Sequence, residues 1–234
     1  MPATLYGVEH FQPAFVDILK LRKQAASCGH IRPMGVPASI KLMAYDVSHD
    51  PLFTVTCAPL VRWAREIWLL NSQHRTPDDV LDGLTMHKAA QLISSSKVDE
   101  LPQGPIRAVA AALNHLGWHL DQAHIINMTH DTFDLTTQSP AMLKHYLFLA
   151  HDKQSYKEIE EELREQGKWR QKEAINWEVL RTILLSKKGD VRIKGIVLGL
   201  LTGNTPAPAW MWAHGWKIEA KCPACGCDDD IKHI

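Results

Sequence analysis

This 234-residue chain lacks an excess of either charge sign: 26 Lys and Arg stand against 26 Asp and Glu. A uniformly basic nucleic-acid binder and an acidic solvating protein are both excluded by that balance. Long apolar runs are also missing. The nearest, Ile196 to Leu201, falls far short of the ~18 residues of a membrane span, so no membrane partner is expected. The opening MPATLYGVEH has neither a basic n-region nor an apolar h-region, and an intracellular protein of nucleus or cytoplasm is expected. Cysteines number five, an odd count that speaks against a secreted disulfide framework. No P-loop, no GxGxxG string and no nucleophile elbow occurs, which removes the common nucleotide-binding and hydrolase signatures.

What is present is ordinary in amount and uneven in place. Hydrophobic residues at 45% and charged residues at 22% suit a globular chain of one large domain or two small ones. Charge is segregated: residues 1–45 carry net +3, 46–105 net −3, 106–163 net −4 and 164–234 net +4. The basic excess is densest from Arg164 to Lys194, with nine Lys or Arg against four Asp or Glu. Lys168, Arg170, Lys172, Lys187, Lys188, Arg192 and Lys194 are the candidate phosphate contacts, and a solvated helical face is the plainer alternative. Cys28 and Cys57 are solitary, while Cys222, Cys225 and Cys227 crowd into the last thirteen residues.

The periodicity predicts a mainly α fold: helical, bundle-like domains followed by a short C-terminal β-hairpin and zinc-knuckle segment. Phe11, Phe15, Ile18 and Leu19 lie at helical spacing, with Gly29 as a stop. Ser39 to Val47 reads as a short helix. Leu60, Trp63, Ala64, Ile67, Trp68 and Leu70 trace a clear amphipathic stripe. Thr76 with Asp79 resembles a capping pair that opens a helix running towards Ile93. Gly104-Pro105 opens another, with Ile106, Val109, Ala110 and Leu113 inward and Gly117 at its end. Ser139-Pro140 reads as N-cap and first turn of a helix to His151, Ser155 to Gly167 as a separate charged helix, and Asn176 or Trp177 as the start of one ending near Lys188-Gly189. A strand and a buried helix both fit Val191 to Leu201. Trp210, Trp212, Trp216 and Ile218 alternate as in a hairpin. The division expected is 1–120, 121–205 and 206–234, with the first junction around Asp121–Gln138.

Metal chemistry is concentrated at the C-terminus, in Cys222-Pro-Ala-Cys225-Gly-Cys227-Asp-Asp-Asp-Ile-Lys-His233-Ile234. A Cys-x2-Cys turn presents two thiolates from one knuckle, and the Gly after it lets backbone N–H groups turn towards sulfur. Zn²⁺ takes four N or S ligands in a tetrahedron. Cys222, Cys225 and His233 supply three; the fourth is Cys227 or a residue that would lie past Ile234. Asp228–Asp230 would raise a thiol pKa, which disfavours a redox Cys-x-x-Cys. His115 and His119 stand at i, i+4, but Leu116 occupies the place of a zincin's Glu and Gly117 interrupts the helix. His124, His130 and Asp131 form no recognisable constellation, and Cys28-Gly-His30 cannot set adjacent residues at attack geometry.

CPACG, an acidic stretch and a His resemble the zinc-binding segment downstream of the reverse transcriptase domain in non-LTR retroelements. There a Cys-Pro-x-Cys-Gly knuckle is followed by His and then another Cys. Cys222, Pro223, Cys225, Gly226 and His233 match, and the last Cys has no counterpart. GNTPAPAWMWAHGWKIEAKCPACG is similar to the Gly- and Trp-containing stretch that leads into the knuckle. LYGVEH at Leu5–His10 resembles the start of the thumb, and LPQGPIRAVAAALNHLGW at Leu101–Trp118 the connecting region of divergent members. The resemblance implies a thumb, a connector and a truncated knuckle, with the polymerase palm lying before residue 1. It implies RNA or DNA as partner, Zn²⁺ as a structural ion, and the remainder of a retroelement polyprotein alongside. The aspartate pair that binds catalytic Mg²⁺ is absent; Met43–Asp50 holds Tyr-Asp with no adjacent carboxylate, so no catalytic residue is expected. The alternative is a helical interaction or structural domain without nucleic-acid affinity.

Overall fold

The computed structural model describes residues 7–8, 11–28, 36–45, 47–71, 83–165, 176–186 and 191–202. They form eight helices and one small sheet. In chain order these are α1 (Phe15–Cys28), α2 (Ala38–Met43), α3 (Pro51–Asn71), α4 (Gly83–Ser95), α5 (Pro105–Leu116), β1 (His119–Gln122), β2 (Ile125–Asn127), β3 (Thr132–Asp134), α6 (Pro140–Glu165), α7 (Trp177–Leu185) and α8 (Val191–Leu201). The mainly α expectation holds, with an antiparallel meander added that periodicity does not reveal. The chain divides into two compact units, residues 1–25 with 46–157, and 26–45 with 158–234.

The first unit is built around α3 and α5. Asp50 caps α3: its side chain accepts from the Leu52 amide at 2.9 Å and its carbonyl from Thr54 at 3.2 Å. Pro51 occupies the first helical position, where a missing N–H costs nothing. The stripe foreseen from Leu60 to Leu70 therefore starts two turns earlier. It buries Leu60, Trp63, Ala64 and Ile67 as expected, and Phe53 and Cys57 with them. α5 opens on Pro105 and ends at Gly117, whose φ of +67° is the left-handed C-cap. Val109, Ala110 and Leu113 are buried, on the face the sequence indicates.

The stretch 121–138, which reads in sequence as a junction, holds most of the meander. The order is β1-β2-β3, with Leu120 opposite Ile126 and Ile126 opposite Phe133. That register puts one apolar side chain per strand in a single row, and all three are buried in the core of α3, α4, α5 and α6. Each fully buried side chain of this kind contributes about 1.5–3 kcal/mol. Trp63 donates its indole N–H to the Ala123 carbonyl at 2.9 Å and Ser94 its hydroxyl to Leu120 at 3.0 Å, tying α3 and α4 to the sheet. Phe133 meets Tyr146 of α6 edge-on, ring centres 5.6 Å apart.

The second unit has its own core of Val36, Ile40, Ala44, Ile159, Leu163, Leu184 and Leu198. Ser39 donates to Glu162 at 2.7 Å and the Trp177 indole to Glu160 at 2.6 Å. Asn176 caps α7 by accepting from the Val179 amide at 3.1 Å, as its position in the sequence suggests. Val191–Leu201, left open between strand and helix, is helical. Two expected helices, to His151 and from Ser155, are one continuous α6 of 26 residues. Ser139 accepts from the Met142 amide at its start, and Ser155, the expected start of the second helix, lies inside it. The expected hairpin at Trp210–Ile218 lies outside the described residues.

Candidate functional site

Among the described residues, the densest polar arrangement is a buried ion cluster in the first unit. Arg22 on α1 reaches the Asp50 carboxylate at 2.9 Å, with both side chains less than a tenth exposed. His151 on α6 places Nε2 3.6 Å from the same carboxylate and is 2% exposed. Asp50 is thus a node: it caps α3, receives a guanidinium from α1 and faces an imidazole from α6. Burial pushes the Asp50 carboxyl up, but the contact with His151, the Arg22 charge and the Leu52 amide outweigh it. The group titrates below the ordinary carboxylate value. Phe53 packs edge-on against the His151 ring, with centroids 5.3 Å apart, and His151 Nδ1 has no hydrogen-bond partner.

Chemically this cluster is a tie between elements. It has no nucleophile at hand and no open face. A cleft of about 70 Å³ lies elsewhere in the same unit, lined by Phe15 and Ile18 of α1, Leu52 and Val55 of α3, and Ala108 and Ala112 of α5. Cys57 is buried behind Phe53 on α3, and burial pushes its thiol up to about 11, with Lys144 pulling weakly the other way. A thiol held in that state is almost wholly protonated at neutral pH and a weak nucleophile.

Sequence reading missed the cluster. Arg22 and Asp50 are 28 residues apart, and His151 is farther still. Two signals were nonetheless present: Asp50-Pro51 is an N-cap followed by a first-turn proline, and Arg22 falls one turn after Ile18 on the inner stripe of α1.

Most of the site residues singled out from sequence fall outside the described residues. Cys222, Cys225, Cys227 and His233 are outside the described residues, as are Lys168, Arg170, Lys172, Lys187 and Lys188. Arg192 and Lys194 are on α8, with Lys194 half-buried. Three thiols and an imidazole form a donor set that suits structural zinc. His115 and His119 do not share a helix face: α5 ends at Leu116, and His119 begins β1, where it contacts Asn127 at 3.2 Å. Among the described residues no group of three His, Cys, Asp or Glu side chains gathers to hold a metal ion. No described helix is long and apolar enough to cross a membrane. No protein-family profile, no curated protein and no solved structure matches this chain.

Proposed function

We propose that this chain is a non-catalytic nucleic-acid-binding protein of the retroelement reverse transcriptase type, carrying a structural zinc knuckle at its C-terminus. The observation that carries the reading is the knuckle itself, Cys222-Pro-Ala-Cys225-Gly with His233 downstream and Cys227 as the available fourth ligand. Zinc fixes the knuckle by replacing a hydrophobic core that so short a segment cannot build. The basic run from Lys168 to Lys194 then supplies phosphate contacts for a template or primer strand. Charge segregation supports this: the segment from 164 to the end holds net +4 in a chain whose total is zero. The aspartate pair of a polymerase is lacking, so holding nucleic acid rather than extending it is the role assigned.

Metal analysis of the purified chain should find about one zinc, lost when Cys222 and Cys225 are both changed to Ser. Single-stranded RNA or an RNA–DNA hybrid should bind with affinity that falls steeply with salt. Replacing Lys168, Arg170 and Lys172 by Gln should reduce the slope of log affinity against log salt by about 2 to 3, near 0.7–0.9 for each phosphate contact. A folded chain that takes up no zinc and binds no nucleic acid at low salt would overturn the reading and favour a helical interaction domain.

A further inference from the structure

α1 is an unusual helix for its position. Within the first unit its only buried side chains are Ile18 and Arg22, and the inner stripe is therefore half charged. Its apolar residues face outward: Phe15 is 60%, Val16 61% and Leu19 39% exposed. Helices normally dock by an apolar stripe; Ile18, with the small Ala26 buried in the last turn, is a slender anchor. The space beneath is incompletely filled. The cleft of about 70 Å³ separates Phe15 and Ile18 from Leu52 and Val55 on α3 and from Ala108 and Ala112 on α5. Close packing with α3 and α5 is what a permanently seated helix would show. What holds α1 is polar: Arg22 to Asp50 at 2.9 Å, with Gln12 just ahead of the helix accepting from Arg107 at 3.1 Å.

We infer that α1 is a latched strap over the groove between α3 and α5, with the Arg22–Asp50 pair as the latch. A buried ion pair suits that task. Its net contribution is small while both partners are in place, because desolvation offsets attraction, yet losing one partner strands a charge and is severe. The latch is thus strongly two-state, whereas an apolar anchor would loosen gradually. Opening lifts Arg22 and Ile18 together and uncovers the alanine-lined groove. α3 keeps its Asp50 cap, and the core of Leu60, Leu113, Phe133 and Leu147 stays closed. Local openings of this kind lie below global unfolding in free energy.

Native-state hydrogen exchange on the full chain, resolved by peptide, tests this. In the wild type, amides of residues 18–25 should exchange through an opening distinct from, and easier than, that of α3 and α5. Arg22→Met should speed exchange in α1 by roughly 100- to 5,000-fold, the size of a broken buried pair. Amides of α5 and of the second half of α3 should remain protected, and slower to exchange than those of α1. Equal protection of α1, α3 and α5 in the wild type would overturn the strap, as would an Arg22→Met variant in which all three still exchange through one common opening. If that variant fails to fold, the wild-type pattern decides alone.

Discussion

Asp50 and Cys57 lie on one helix and its cap; burial pushes both up, but only at Asp50 do the partners more than reverse it. The folded Asp50 carboxyl has its pKa below the ordinary 3.8 because Arg22 and His151 favour the charged form more than burial disfavours it. Its stabilising contribution is therefore complete above that ordinary value and is lost as pH falls through the lower folded one. An Asp50→Asn variant should show a flatter acid limb in stability against pH, measured by urea unfolding. Arg22→Met, which leaves the carboxylate buried beside His151, should cost about 3–5 kcal/mol at pH 7 in the same measurement. Cys57 behaves conversely. Its thiol is pushed from 9.0 up to about 11 by burial, so its contribution is full below pH 9 and fades as pH rises towards 11. At pH 8 Cys57 should resist alkylation in the folded chain while exposed Cys28 reacts, and both should react in denaturant. Peptide mapping after a short iodoacetamide pulse distinguishes them.

Elements were legible in the sequence wherever a strong period met chemically explicit ends. α5 is the clearest instance, with Gly104-Pro105 before it, Gly117 after it, and a single apolar face between. α7 announced itself through Asn176, and Asn176→Ala should cost the chain about 1 kcal/mol in thermal or chemical unfolding by leaving the Val179 amide uncapped. The meander was not legible because each strand has three or four residues and only one buried position, too few for alternation to register. α6 reads in sequence as two helices, the second a charged one from Ser155 to Gly167. A run of Glu and Lys looks like a new surface helix, but Ile159 and Leu163 are buried in the second unit's core, on a different face of α6 from Leu143 and Leu147. The ion cluster stayed hidden for a different reason. Its members come from three elements, and no local pattern encodes a contact between residues so distant in the chain.

At the scale of the whole molecule, two separate cores stand in place of one. Leu147 and Phe133 belong to the first, Leu163 and Leu184 to the second. Truncating Leu147 or Leu163 to Ala should each cost about 2–5 kcal/mol. The loss should fall on different structure: protection of α3, α5 and the meander in the first case, of α2 and α7 in the second. Exchange mapping of the two variants reads this directly. On the zinc reading proposed above, removing the metal with a chelator should lower nucleic-acid affinity.

The hydrogen bonds of two indoles acquire a practical meaning here. Trp63 is tied to the Ala123 carbonyl in the first unit, and Trp177 to the Glu160 carboxylate in the second. Each unit therefore contains its own chromophore in a defined polar setting. Replacing one of these two tryptophans with Phe at a time should subtract that indole's share, among eight, of the emission change on denaturation. Intrinsic fluorescence thereby becomes a label-free clock for the order in which the two units melt.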